Sequence, residues 1–94
     1  MKTTTAIKTL QKMFPDIHGI KAGSEWSGKD EDSIFLGDAA EGGEIEGMYA
    51  ADYNVGWQGD YKSFGVHTKL NDALTEMGFF AEWYDSGTLI AYRL

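Results

Sequence analysis

Apolar residues recur along the chain with two different periods. Ala6, Ile7, Leu10, Met13 and Phe14 share one face of a helix predicted over about Thr5 to Phe14, with Lys8, Gln11 and Lys12 opposite. One of Thr3, Thr4 or Thr5 is expected to cap it, and Pro15 ends it. Ile20, Ala22, Ser24 and Trp26 then alternate with Lys21 and Glu25, which predicts a strand weakened by Gly23. A polar turn, Gly28 to Asp32, leads to a return strand from Ser33 to Gly37. Ala39 to Glu44 reads as a second turn, and Ile45 to Tyr53 as a third strand. Asn54 to Phe64 is glycine-rich and irregular, with room for a short strand near Trp57.

Val66, Leu70, Ala73, Leu74 and Met77 return to helical spacing, so a second helix is predicted over about Val66 to Met77. Gly78 stands where a left-handed C-terminal cap is wanted. Phe79 to Tyr84 and Thr88 to Leu94 form a hairpin about Asp85-Ser86-Gly87, apolar on both faces apart from Glu82 and Arg93. One face of this hairpin is expected against the helices and the other partly covered or used for contact. The order α-β-β-β-(β)-α-β-β predicts a single α+β domain over residues 1–94. Its economical architecture is one antiparallel sheet of four to six strands with two helices packed on one face.

Composition narrows the function classes. The 94 residues include three Trp, five Tyr and five Phe, enough for one real core, and no Cys. Disulfides, thiol catalysis and Cys-based metal sites are therefore excluded. No apolar run approaches the ~20 residues that cross a bilayer, and no targeting segment is evident, so a cytoplasmic protein without membrane contact is expected. The net charge of −7 is unevenly spread. Residues 1–29 carry five Lys against two acids; residues 30–60 carry nine acids and no base; residues 61–94 carry three bases against four acids. Phosphate contacts need clustered Lys and Arg, so direct nucleic-acid binding is not expected, and a basic partner fits better.

Catalytic and cofactor motifs are missing: there is no phosphate-binding glycine loop, no H-E-x-x-H and no G-x-S-x-G. Asp30-Glu31-Asp32 opens like a calcium loop, but Ile34 stands where a further oxygen ligand belongs and Phe35 where its Gly belongs. No metal or cofactor is expected. His18 and His67 both lie near helix ends and read as surface histidines.

The segment that stands out runs from Asp30 to Tyr61. Its carboxylates are Asp30, Glu31, Asp32, Asp38, Glu41, Glu44, Glu46, Asp52 and Asp60, and its later half adds Tyr49, Tyr53, Trp57 and Tyr61. Rigid aromatics among Gly, Asn and Asp suit recognition surfaces. The simpler reading is a solubilising acidic edge whose aromatics complete a small core. A short, acidic, Cys-free α+β chain without catalytic motifs resembles, in format, the small inhibitors that phages and mobile elements deploy, anti-CRISPR proteins among them. That resemblance implies a non-enzymatic inhibitor that imitates nucleic-acid phosphate at a basic surface of a host protein or nucleoprotein complex, in the host cytoplasm. The candidate partner-binding residues are those nine acids with Tyr49, Tyr53, Trp57 and Tyr61. Two alternatives stay open. One is an accessory protein that forms a homodimer through the Thr88 to Leu94 edge. The other is a small enzyme with a pocket at His18 or His67.

Overall fold

The computed structural model describes residues 1–27, 32–54, 59–62 and 64–94. Helix α1 (Thr3–Met13) buries Ala6 and Leu10, one turn apart, with Phe14 buried at its end. The expected threonine cap is not used. Lys2 occupies the cap position without a side-chain bond, and Thr3 is already helical. The reason lies at the other end of the chain. The Arg93 guanidinium donates to the Met1 carbonyl and to Thr3 Oγ1, both at 2.8 Å, and so ties the helix start to the last strand.

The main sheet is antiparallel, in the order β1 (Ile20–Ala22), β2 (Ile34–Leu36), β8 (Thr88–Arg93), β7 (Phe79–Asp85). Ile20, Leu36, Ile34, Ala91, Leu89 and Phe79 point to one core, which also holds Leu10 of α1 and Leu70 and Leu74 of α3 (Thr68–Glu76). The two long helices thus cover one face, as the periodicities require. Gly78 takes φ +87° after α3, in the left-handed cap expected of it.

Between β1 and β2 the expected strand stops early. Residues Gly23–Ser27 form a short helix, α2, instead of continuing β1 to Trp26. Gly23 and Ser24 have little strand preference, and the turn swings Trp26 across the sheet's second face. There its ring stacks on Phe35 (centroids 5.0 Å apart, planes 9°) and meets Tyr84 edge-on at 5.1 Å. Ile90 is consequently buried, while Phe80 stays 40% exposed on the same face. The turn residues 28–31 lie outside the described residues.

The third strand expected over Ile45 to Tyr53 also divides. Glu44–Ile45 (β3) and Met48–Tyr49 (β4) make a hairpin separate from the main sheet. Glu46 and Gly47 have φ of 53° and 82°, as a two-residue type I′ turn requires. Ala51 then bridges to Val66, which belongs to a second small hairpin of β5 (Tyr61–Lys62) and β6 (Val66–His67). Gly65 is the pivot of this region. Its φ is +96°, and a Cβ would sit 1.9 Å from the Asp52 carbonyl oxygen, so only glycine fits. Helix α3 accordingly starts at Thr68, two residues later than its periodicity suggests, because Val66 and His67 are drawn into β6.

β8 is an interior strand, paired on both sides by β2 and β7. The proposed self-association edge at Thr88 to Leu94 is therefore corrected: the strands at the sheet's edges are β1 and β7.

Candidate functional site

Of the predicted binding residues, Asp30, Glu31 and Trp57 lie outside the described residues. The others fall into five places. Asp32 is exposed and accepts from Thr3 Oγ1 at 3.3 Å. Asp38 is occupied internally: Oδ1 accepts the His18 backbone N–H at 2.8 Å, and Oδ2 lies 3.2 Å from His18 Nδ1. Glu41 is exposed, and its carboxylate lies close beside Gly87 in the β7–β8 turn. Glu44 and Glu46 are on the β3–β4 hairpin, and Glu46 forms an ion pair with Lys69 of α3. Lys69 holds the Glu46 carboxyl below its ordinary 4.5, first by the hydrogen bond and then by charge. The described acids of the set therefore do not form one surface.

The aromatic half does converge. Tyr61 donates its hydroxyl to the Tyr49 carbonyl at 2.9 Å, and its ring packs edge-on against His67. Burial pushes the Tyr61 phenol above its ordinary 10.0, and the nearby Asp52 and Asp60 carboxylates and Tyr49 push it further. Tyr49, Asp52 and Tyr53 line one open hollow of about 310 Å³ with the tip of the β7–β8 turn at Ser86. Tyr53, Phe64, Glu82 and Trp83 line a neighbouring hollow of about 410 Å³. Tyr53 belongs to both, and its ring stands perpendicular to Trp83 at 5.2 Å. The result is a continuous face on which Tyr49, Tyr53 and Phe64 are 55%, 54% and 67% exposed, with Asp52 and Glu82 between them.

Phe64, Glu82 and Trp83 were not among the predicted residues. Phe64 follows the acidic segment by three positions, and the signal for it is Gly65: a glycine turn presents the preceding side chain. Phe64 itself has φ +60°, a strained conformation for an aromatic residue. Glu82 and Trp83 reach the face from β7, a neighbour in space but distant in sequence.

A larger hollow, about 610 Å³, lies between the C-terminal end of α1, β3 and α3. Met13, Phe14, Pro15, Ile45 and Ala73 form its apolar lining. Asp16, Glu44, Glu46, Asp72 and Glu76 ring it, with Lys69 the one cation among the described residues that line it. Asp16, Asp72 and Glu76 were also missed, because Asp16 follows α1 while Asp72 and Glu76 lie on α3, more than 50 residues further along.

His18 is exposed as expected, but His67 is not a surface residue: it is 4% exposed. Its Nδ1 accepts the Lys69 backbone N–H at 3.1 Å and so caps α3. Among the described residues, no group of three or more His, Asp and Glu is gathered as a metal site, and no buried side-chain nitrogen or oxygen lacks a partner. No described helix is long and apolar enough to cross a membrane. No family model, curated protein or solved structure matches this chain.

Proposed function

We propose that this domain is a non-enzymatic, protein-binding inhibitor of the anti-CRISPR type, acting in a host cytoplasm. Its acidic and aromatic face covers a basic, nucleic-acid-binding surface of a host protein or complex. The observation that carries this reading is the placement of Tyr53 between two adjoining hollows, which makes one face of Tyr49, Tyr53 and Phe64 beside Asp52 and Glu82. Exposed rings supply contact area at low entropic cost. The carboxylates add steering toward Lys and Arg, chiefly in association rate. Capture of a host protein on the immobilised domain tests the reading. Capture is expected at low salt, to fall as salt rises, and to be lost in the Tyr53→Ala/Phe64→Ala variant. Capture that ignores both salt and this variant would refute it.

A second reading, self-association, is favoured by one observation. β7 is a seven-residue edge strand with Phe80 and Tyr84 exposed. A strict monomer in sedimentation at high concentration would remove it.

A further inference from the structure

The hollow between α1, β3 and α3 is built unlike the tyrosine face: its lining is apolar and its rim acidic. We propose that it docks a lysine- or arginine-bearing amphipathic helix of a partner protein, apolar side inward. This rests on the reading of the domain as a binder of basic proteins, and adds a second contact and the form of the segment that fills it.

Charge complementarity selects the occupant. Asp16, Glu44 and Glu76 stand around the hollow, while Lys69, the one cation among the described residues that line it, is already paired with Glu46. A neutral or acidic segment would meet net negative charge, whereas Lys or Arg at the flanks of an apolar stripe would meet carboxylates on each side. The lining selects the rest. Met13 is 50% exposed at its edge, and Ile45 and Ala73 close the bottom, so the segment must bring apolar side chains to the middle. A volume of about 610 Å³ is within the range of sites that take a few side chains.

Backbone pairing selects the helix. The Glu44 N–H already donates to the Asp16 carbonyl at 3.1 Å, and Ile45 is paired with Met48 across the hairpin. The opposite wall is α3, where Lys69, Asp72, Ala73 and Glu76 recur at i, i+3, i+4 and i+7 along one stripe. β3 contributes only two residues and its Glu44 N–H is already taken by Asp16, so an extended segment would find little to pair with, whereas a helix satisfies its own peptide groups. A second copy does not fit. The chain's own basic helix, α1, keeps Ala6 and Leu10 buried at home and would bring lysines without an apolar stripe.

The test is an amide-resolved NMR titration with two synthetic Leu/Lys peptides, each about 18 residues long so that the helix is stable. One has apolar residues at i, i+3, i+4 and i+7; the other has the same composition in shuffled order. The periodic peptide is expected to bind about tenfold more tightly, shifting amides of residues 13–16, 44–46 and 69–76 first. Glu44→Lys/Glu76→Lys, both at exposed positions, is expected to weaken it about tenfold at low salt, and Met13→Ser a few-fold with unchanged salt dependence. Equal affinity of the two peptides, or shifts centred on residues 49–53, overturns the proposal. Host-protein capture that depends on Tyr53 and Phe64, while the periodic peptide fails to bind, overturns the groove alone. Absence of host-protein capture by the unaltered domain, with peptide binding intact, overturns the tyrosine face alone.

Discussion

The Trp83 indole N–H donates to the Phe64 carbonyl at 2.9 Å, and this bond fixes a left-handed residue whose ring is two-thirds exposed. A bulky residue in that conformation costs about 1–2 kcal/mol, and Asn adopts it more readily. Phe64→Asn is therefore expected to leave stability unchanged or raise it by up to about 1 kcal/mol in urea unfolding, while abolishing partner capture. A loss of more than about 1 kcal/mol would make Phe64 a structural residue and not a presented one.

Gly65 and Gly78 both have positive φ, yet their surroundings differ. At Gly65 a Cβ would collide with the Asp52 carbonyl, while at Gly78 nothing lies within 4 Å. Gly78→Ala is expected to cost about 1 kcal/mol from conformation alone. Gly65→Ala must also break the Asp52 N–H to Gly65 carbonyl bond, and is expected to cost at least 3 kcal/mol or so. Denaturation midpoints of the two variants, measured together, check the difference.

His67 caps α3 and packs against Tyr61 while buried. His67→Ala removes both contacts and is expected to destabilise by roughly 2 kcal/mol. His67→Asn restores an acceptor for the Lys69 N–H and is expected to recover about half of that. Equal losses in both variants would show that packing alone matters.

Tyr61 sets an alkaline limit. Its folded-state phenol lies above the ordinary 10.0, so above that value the unfolded chain gives up its proton first and stability falls. The contribution is fully present below 10.0 and is lost as pH rises through the raised value. Tyr61→Phe is expected to unfold less steeply with alkali than the native chain. Parallel alkaline unfolding of the two proteins would contradict the assignment.

Much of this architecture is legible in local sequence. Leu70, Leu74 and Met77 repeat at one helical period, and the hairpin about Asp85-Ser86-Gly87 declares both β7 and β8. The remainder depends on partners that periodicity does not show. Ile20 to Trp26 alternates like a strand, but Trp26 gains more by stacking on Phe35 than by extending β1. Val66 fits the helical face of α3 and is instead held by β5 and Ala51. The candidate site divides in the same way. Tyr49, Asp52, Tyr53 and Tyr61 are close in sequence and meet in space. Glu82 and Trp83 join them only through β7, and Asp38 leaves the set because His18 claims its carboxylate.

Site-specific photocrosslinking in host lysate tests the binding face most directly. A photoreactive phenylalanine at Tyr53 is predicted to capture a discrete protein at low salt, with the yield falling as salt rises, while the same group at Thr5 on α1 captures none. Equal capture at both positions, or no capture at Tyr53 at low salt, would contradict the account.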